Sequence, residues 1–94
     1  MARRLIVKAS FQRAYDHLSS DDERDRVKKA LQLLQTYLET GRAPVGLGLK
    51  KLGSGVYEFR AGLARRGVYV EEGLALALAL LGSHDEVRRF LKRA

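Results

Sequence analysis

Leu74-Ala-Leu-Ala-Leu-Ala-Leu80 decides the fold. Leucine and alanine are both strong helix formers, so propensity alone reads this stretch as helix. Its strict period of two reads it as strand, because a helix would scatter the leucines around its circumference. We therefore expect a strand whose leucine face covers a helical layer, with Ala75, Ala77 and Ala79 leaving room on the opposite face. Working backward, Gly73 after two glutamates marks a hairpin turn. Arg66-Gly-Val-Tyr-Val70 and Val56-Tyr-Glu-Phe-Arg60 are two further strands rich in β-formers. Working forward, Ser83-His-Asp-Glu86 is a capping-box pattern that opens a last short helix, with Val87, Phe90 and Leu91 as its apolar stripe.

The first half of the chain has a different rhythm. Leu5 to Ala9 is a short apolar run with β-branched Ile6 and Val7, suited to a first strand. Phe11, Ala14, Tyr15 and Leu18 then fall on one face of a short helix, with Ser10 at its natural N-cap. Ser20-Asp-Asp-Glu23 opens a second helix, and its acidic residues suit the positive end of the helix dipole. Val27, Ala30, Leu31, Leu34 and Leu38 line one face of it, Gly41 fits the C′ position and Pro44 prevents resumption. The expected order is β-α-α-β-β-β-α: an α+β fold with a small antiparallel sheet, a helical hairpin packed on one face and a short C-terminal helix.

Residues 1–94 are read as a single domain, with no repeat, low-complexity run or linker. A chain this short holds one modest core, which excludes a two-domain cofactor enzyme. The absence of cysteine excludes a disulfide framework, a zinc knuckle and a thiol catalyst. MARRLIVKAS lacks the apolar stretch of a signal peptide, and no segment is long and apolar enough to span a membrane, so a cytoplasmic location is expected. Charge is the informative quantity. Eighteen Lys and Arg against eleven Asp and Glu give +7, and arginine outnumbers lysine by 12 to 6. That bias toward the fork-shaped guanidinium points to a phosphate-bearing or acidic partner.

Four segments, in order, carry a resemblance: Leu49-Lys-Lys-Leu-Gly53, Val56-Tyr-Glu-Phe-Arg60, Arg65-Arg-Gly-Val-Tyr69 and Leu81-Gly-Ser-His-Asp-Glu-Val87. Across essentially its whole length the chain resembles the RelE/ParE superfamily of bacterial toxin–antitoxin toxins. Members of the RelE branch are metal-free ribonucleases that cut mRNA in the ribosomal A site. Members of the ParE branch keep the fold and inhibit DNA gyrase. The resemblance implies a type II toxin acting as a ribosome-dependent mRNA endonuclease. The alternatives are a ParE-like non-catalytic gyrase inhibitor and a degenerate relative that only binds an antitoxin.

Cutting RNA without a metal needs a base for the 2′-OH proton, an acid for the leaving 5′-oxygen and cations for the charge on phosphorus. Two histidines, no cysteine and dispersed carboxylates offer no metal-ligand cluster, and no cofactor or small-molecule substrate is implied. By resemblance, the phosphate falls to Arg60 and Arg66, with Arg65 taking the place of Arg66 if the preceding hairpin is not one residue longer than in the family. Glu58 shares a strand face with Arg60, so a structural ion network is the competing role for that pair. His84 matches the family's "G-x-H-D" histidine and is the candidate for proton transfer. Lys50, Lys51, Arg65 and Arg88 are the candidate RNA contacts, and His17 is expected to be solvated surface.

Two positions depart from the family pattern. Leu80 or Leu81 stands where many nuclease members carry a basic residue, and Arg88 stands where many have Tyr or Phe four residues after the histidine. Arginine can stack on a base, which keeps a role open for Arg88. The expected partners are the ribosome with its mRNA and a cognate antitoxin. The basic surface suits an acidic, partly disordered antitoxin segment that folds on binding.

Overall fold

The computed structural model describes residues 4–93. Its elements are β1 (Arg4–Val7), α1 (Ala9–Asp16), α2 (Asp21–Thr40), β2 (Lys50–Gly53), β3 (Val56–Arg60), β4 (Arg66–Glu72), β5 (Ala75–Gly82) and α3 (His84–Arg93). The α+β architecture is the expected one. The strands form a single five-stranded sheet in the order β1-β5-β4-β3-β2. Strands β2 to β5 are an antiparallel meander, while β1 runs parallel to β5 along the edge. The sheet is therefore mixed rather than wholly antiparallel. The helical hairpin carries the chain from β1 to β2 at the opposite edge, and the meander then returns it to β5, so the two together make the crossover that a parallel partner requires.

Two elements depart from the sequence reading in detail. Lys50–Gly53 forms an added edge strand against β3, four residues long and interrupted by a register shift between Lys51 and Gly53. Ser10 is not the N-cap of α1. The helix begins at Ala9, Lys8 stands at the cap without a side-chain capping bond, and the Ser10 hydroxyl donates instead to the Ala79 carbonyl at 2.6 Å.

That carbonyl belongs to the extra residue of a β-bulge. Tyr69 faces Leu78 and Val68 faces Leu80, so Ala79 has no partner on β4. One inserted residue reverses the alternation of everything after it. Leu76 and Leu78 face the helical hairpin as the period dictates; beyond the bulge that place passes from Leu80 to Leu81. Leu74, at the turn, is exposed.

The main core joins the helical hairpin to one sheet face through Phe11, Leu18, Val27, Leu34, Phe59, Tyr69, Leu76 and Leu78. Tyr57 and Tyr69 stack within it at 5.1 Å between ring centroids. Gly67 lies under the Phe59 ring, where an added Cβ would collide with ring carbons. The second helix ends as expected, with Gly41 at φ 75° and its N–H bonded to the Tyr37 carbonyl at 2.7 Å. Helix α3 packs against β4 and β5, and Val68, Ala77 and Val87 are buried apart from the main core.

Candidate functional site

Residues paired across neighbouring strands share a face of the sheet, so the register sorts the candidate residues. Phe59, Gly67 and Leu81 form a row on the hairpin side, and the adjacent rows alternate outward. On the outer face, Lys50, Glu58, Val68 and Leu80 make one row, and Arg60, Arg66 and Gly82 make the next. Arg60 and Arg66 are direct antiparallel partners, which sets their Cα atoms about 5 Å apart. Gly82 is the partner of Arg66 on the other side, and the chain enters α3 two residues later at His84. Arg60 and Arg66 thus lie side by side at the end of the meander, and His84 opens the helix that follows.

Glu58 is the one buried charged residue of the described chain, at 6% exposure. Its Oε1 lies 3.5 Å from Nη1 of Arg66. Sequence reasoning grouped it with Arg60; the structure pairs it with Arg66 from one diagonal step across the sheet. Arg60 is exposed and forms no ion pair among the described residues. Its backbone N–H donates to the Leu47 carbonyl at 2.8 Å, which ties the end of β3 to the loop after α2. Gly48, at φ 60°, lets that loop pass close to the Arg60 side chain.

The remaining candidates divide. Lys51 pairs with Tyr57, so it points to the opposite side of the sheet from Lys50. Arg65 turns toward α2 and binds Glu23 Oε2 at 2.7 Å, away from the Arg60–Arg66 row. The carboxyl of Glu23 is held below its ordinary range, first by the Ser19 hydroxyl at 2.7 Å and then by the Arg65 charge, against a desolvation that acts in the other direction. His17 is exposed and lines a depression with Arg65, Ser83 and Glu86.

His84 is exposed on the first turn of α3. The capping box read from the sequence is reciprocal here: the Glu86 N–H donates to Ser83 Oγ at 3.2 Å, and the Ser83 N–H donates to Glu86 Oε1 at 3.0 Å. The Ser83 amide is the main cause that depresses the Glu86 carboxyl below its ordinary value. Helix periodicity sets His84 and Arg88 one turn apart on the same flank. The other flank carries Glu86, Phe90 and Arg93, which line a cavity with Leu80. The aromatic ring nearest to His84 in sequence is thus turned away from it.

Among the described residues no three of His, Cys, Asp and Glu are placed to hold a metal ion together. No helix of the described residues is long and apolar enough to cross a membrane. Two arginines paired across neighbouring strands are chemically suited to an anionic ligand.

No family model and no curated protein matches this sequence. Solved structures do. A copper-bound mutant toxin from Helicobacter pylori superposes with a TM-score of 0.68 at 24% identity, covering 90% of this chain and 98% of that one. YoeB from Staphylococcus aureus, solved as a dimer, gives 0.67 at 22% identity over 89% of this chain and 99% of its own. The E. coli DinJ–YafQ complex contributes a chain at 0.67 and 14% identity, covering 90% and 97%. At these identities the likeness is one of fold, and it runs nearly end to end in both directions. The chain has the fold of the RelE/ParE-type toxins of toxin–antitoxin systems.

Proposed function

We propose that this protein is the toxin of a type II toxin–antitoxin module and acts as a metal-free, ribosome-dependent mRNA endonuclease. The observation that carries this reading is the row Arg60, Arg66, Gly82, which leads directly into His84. In the proposed reaction the 2′-oxygen of one nucleotide attacks the adjacent phosphorus, and its proton passes to a base. The bond to the 5′-oxygen breaks, leaving a 2′,3′-cyclic phosphate and a protonated 5′-hydroxyl. Arg60 and Arg66 offset the charge that develops on the phosphoryl oxygens. His84 moves a proton at the scissile bond. Glu58 orients the Arg66 guanidinium. Lys50, on the same face, holds the RNA backbone, and Arg88 extends the basic flank of α3 toward it.

The partner reading follows from the company the fold keeps. Toxins similar to this chain are solved bound to antitoxins, in the DinJ–YafQ and YoeB–YefM complexes. We infer that an acidic antitoxin neutralises this protein, and that the product of an adjacent small reading frame supplies it. Arg65 enters this proposal only through its bond to Glu23, not as an RNA contact.

Purified ribosomes programmed with a defined mRNA test the enzyme, with cut sites read by primer extension. Cuts that require ribosomes and vanish in Arg66→Ala support the reading. Absence of cutting by folded protein refutes it. A second reading draws on Arg88, which stands where an aromatic would serve catalysis, while Phe90 lies on the other flank of α3. It is a non-catalytic toxin that binds DNA gyrase. Loss of supercoiling in a gyrase assay, unchanged by His84→Ala, would establish it.

A further inference from the structure

Cleavage by 2′-oxygen attack needs a base on one side of the phosphorus and an acid on the other, and one imidazole cannot both lack and hold a proton in the same step. His84 fills one of these roles. Glu58 is buried and committed to Arg66, so it does not fill the second. Glu86 lies beside the arginine row. Gly82, the register partner of Arg66, is buried and carries no side chain, and Glu86 lies across it. A Cβ added at Gly82 would stand only 3.0 Å from the Glu86 carboxylate carbon and from Oε1. The row that runs through Arg60 and Arg66 is therefore continued over Gly82 by a carboxylate from α3.

The surroundings of Glu86 suit a reacting group. It is exposed, and it stands between two cavities, one of about 400 Å³ with Leu80 and Phe90 and one of about 260 Å³ with His17 and Arg65. RNA crossing that ridge has room for a nucleotide on either side of the cut. Asp85, its neighbour, lines neither cavity. Two positions on a helix are about 200° apart around its axis, so His84 and Glu86 address opposite sides of a group placed at the start of α3. In-line displacement makes that demand of its base and acid. The Ser83 amide holds Oε1, and a carboxylate has a second oxygen to offer.

We propose that Glu86 is the general base of the cleavage and His84 its general acid. The proposal rests on the endonuclease reading and completes its chemistry. The 2′-hydroxyl gives its proton to the Glu86 carboxylate as the bond from the 2′-oxygen to phosphorus forms. The bond from phosphorus to the 5′-oxygen breaks, and protonated His84 gives its proton to that oxygen. Transfer of a proton from Glu86 to His84 through water restores both groups.

The test is single-turnover cutting of ribosome-bound mRNA by the full chain and three folded variants. Glu86→Gln is expected to slow cutting about 10²-fold or more. Gly82→Ala, which displaces the carboxylate without removing it, should slow it about tenfold or more. Ser83→Ala breaks the same capping box and keeps the carboxylate, so it should cut near the wild-type rate. In mRNA carrying sulfur in place of the 5′-oxygen at the cut site, the leaving group needs no acid. His84→Asn should then recover, while Glu86→Gln stays slow. A wild-type rate in Glu86→Gln overturns the proposal, as does an equal loss in Ser83→Ala, which would make Glu86 a helix cap alone. Recovery of Glu86→Gln on the sulfur substrate would make it the acid and overturn the assignment. These three results leave the endonuclease reading standing, whereas failure of the wild-type protein to cut removes that reading and the base with it.

Discussion

Glu58 and Arg66 sit on neighbouring strands and are joined at 3.5 Å, with the carboxylate buried and the guanidinium one-third exposed. The arrangement holds the arginine from beneath and leaves part of its donor fork free for an outside ligand. Removing the carboxylate charge leaves Arg66 in place with nothing to aim it. Glu58→Gln is therefore expected to fold, with a stability loss of about 1 kcal/mol in urea denaturation. Single-turnover cleavage should fall by more than ribosome affinity does. Cleavage at the wild-type rate would remove Glu58 from the positioning role.

Lys50 and Lys51 are adjacent in sequence but occupy opposite faces of the sheet. Only Lys50 shares the face of Glu58, Arg60 and Arg66. Lys50→Ala is expected to weaken RNA binding and reduce the slope of log affinity against log salt by about one. Lys51→Ala should leave both unchanged. Equal effects from the two lysines would show that RNA does not approach from this face.

His84 tests the proton-transfer role independently of the arginines. His84→Asn is expected to lower the single-turnover rate by about 10²-fold or more, with little change in ribosome binding. A wild-type rate in this variant would leave the site without its assigned acid or base.

Gly67 is required by packing rather than by backbone conformation. Gly67→Ala drives a methyl group into the Phe59 ring and is expected to cost about 1–3 kcal/mol, measured by thermal unfolding. Phe59→Leu in the same chain should recover part of that loss. Additive losses would mean that the ring is not the obstacle.

The α3 capping box gives stability a pH dependence of definite sign. The Glu86 carboxyl in the folded chain lies below its ordinary value of 4.5, first because the Ser83 amide donates to it. The folded state thus favours the charged form, and this contribution is present above that value and lost as pH falls through the folded one. Glu86→Gln should be less stable than wild type at pH 7, and the gap should close as pH drops below 4.5. Ser83→Ala, which removes the other half of the box, is expected to cost about 1 kcal/mol at neutral pH. A gap independent of pH would contradict the charge-based account.

The helices and the meander were legible because each is announced by local chemistry. Ser20 and Gly41 bound α2, Ser83 and Glu86 open α3, and the alternation of Leu74–Leu80 defines β5. What escaped depends on partners distant in the chain. The outward turn of Leu80 follows from a bulge at Ala79, and the Ser10 hydroxyl that serves its carbonyl comes from 69 residues earlier. Lys50–Gly53 carries too little alternation to announce an edge strand, and only β3 gives it a ladder. For the site, the family resemblance together with arginine's affinity for phosphate pointed to Arg60, Arg66 and His84 as candidates. The parting of Arg65 from Arg66, and of Lys51 from Lys50, is a matter of register that composition cannot express.

The parallel pairing of β1 with β5 joins Arg4–Val7 to residues some seventy positions later, and the row that ends at Gly82 is completed by the same strand. Synthesis proceeds from the N-terminus, so β1 is made about seventy residues before the strand that fills its edge. The Arg60–Arg66 pair cannot acquire its His84 neighbour until β5 has closed the sheet. The arginine row is therefore assembled late in folding: β1 has no parallel partner, and Arg66 no Gly82 beside it, until β5 has been made.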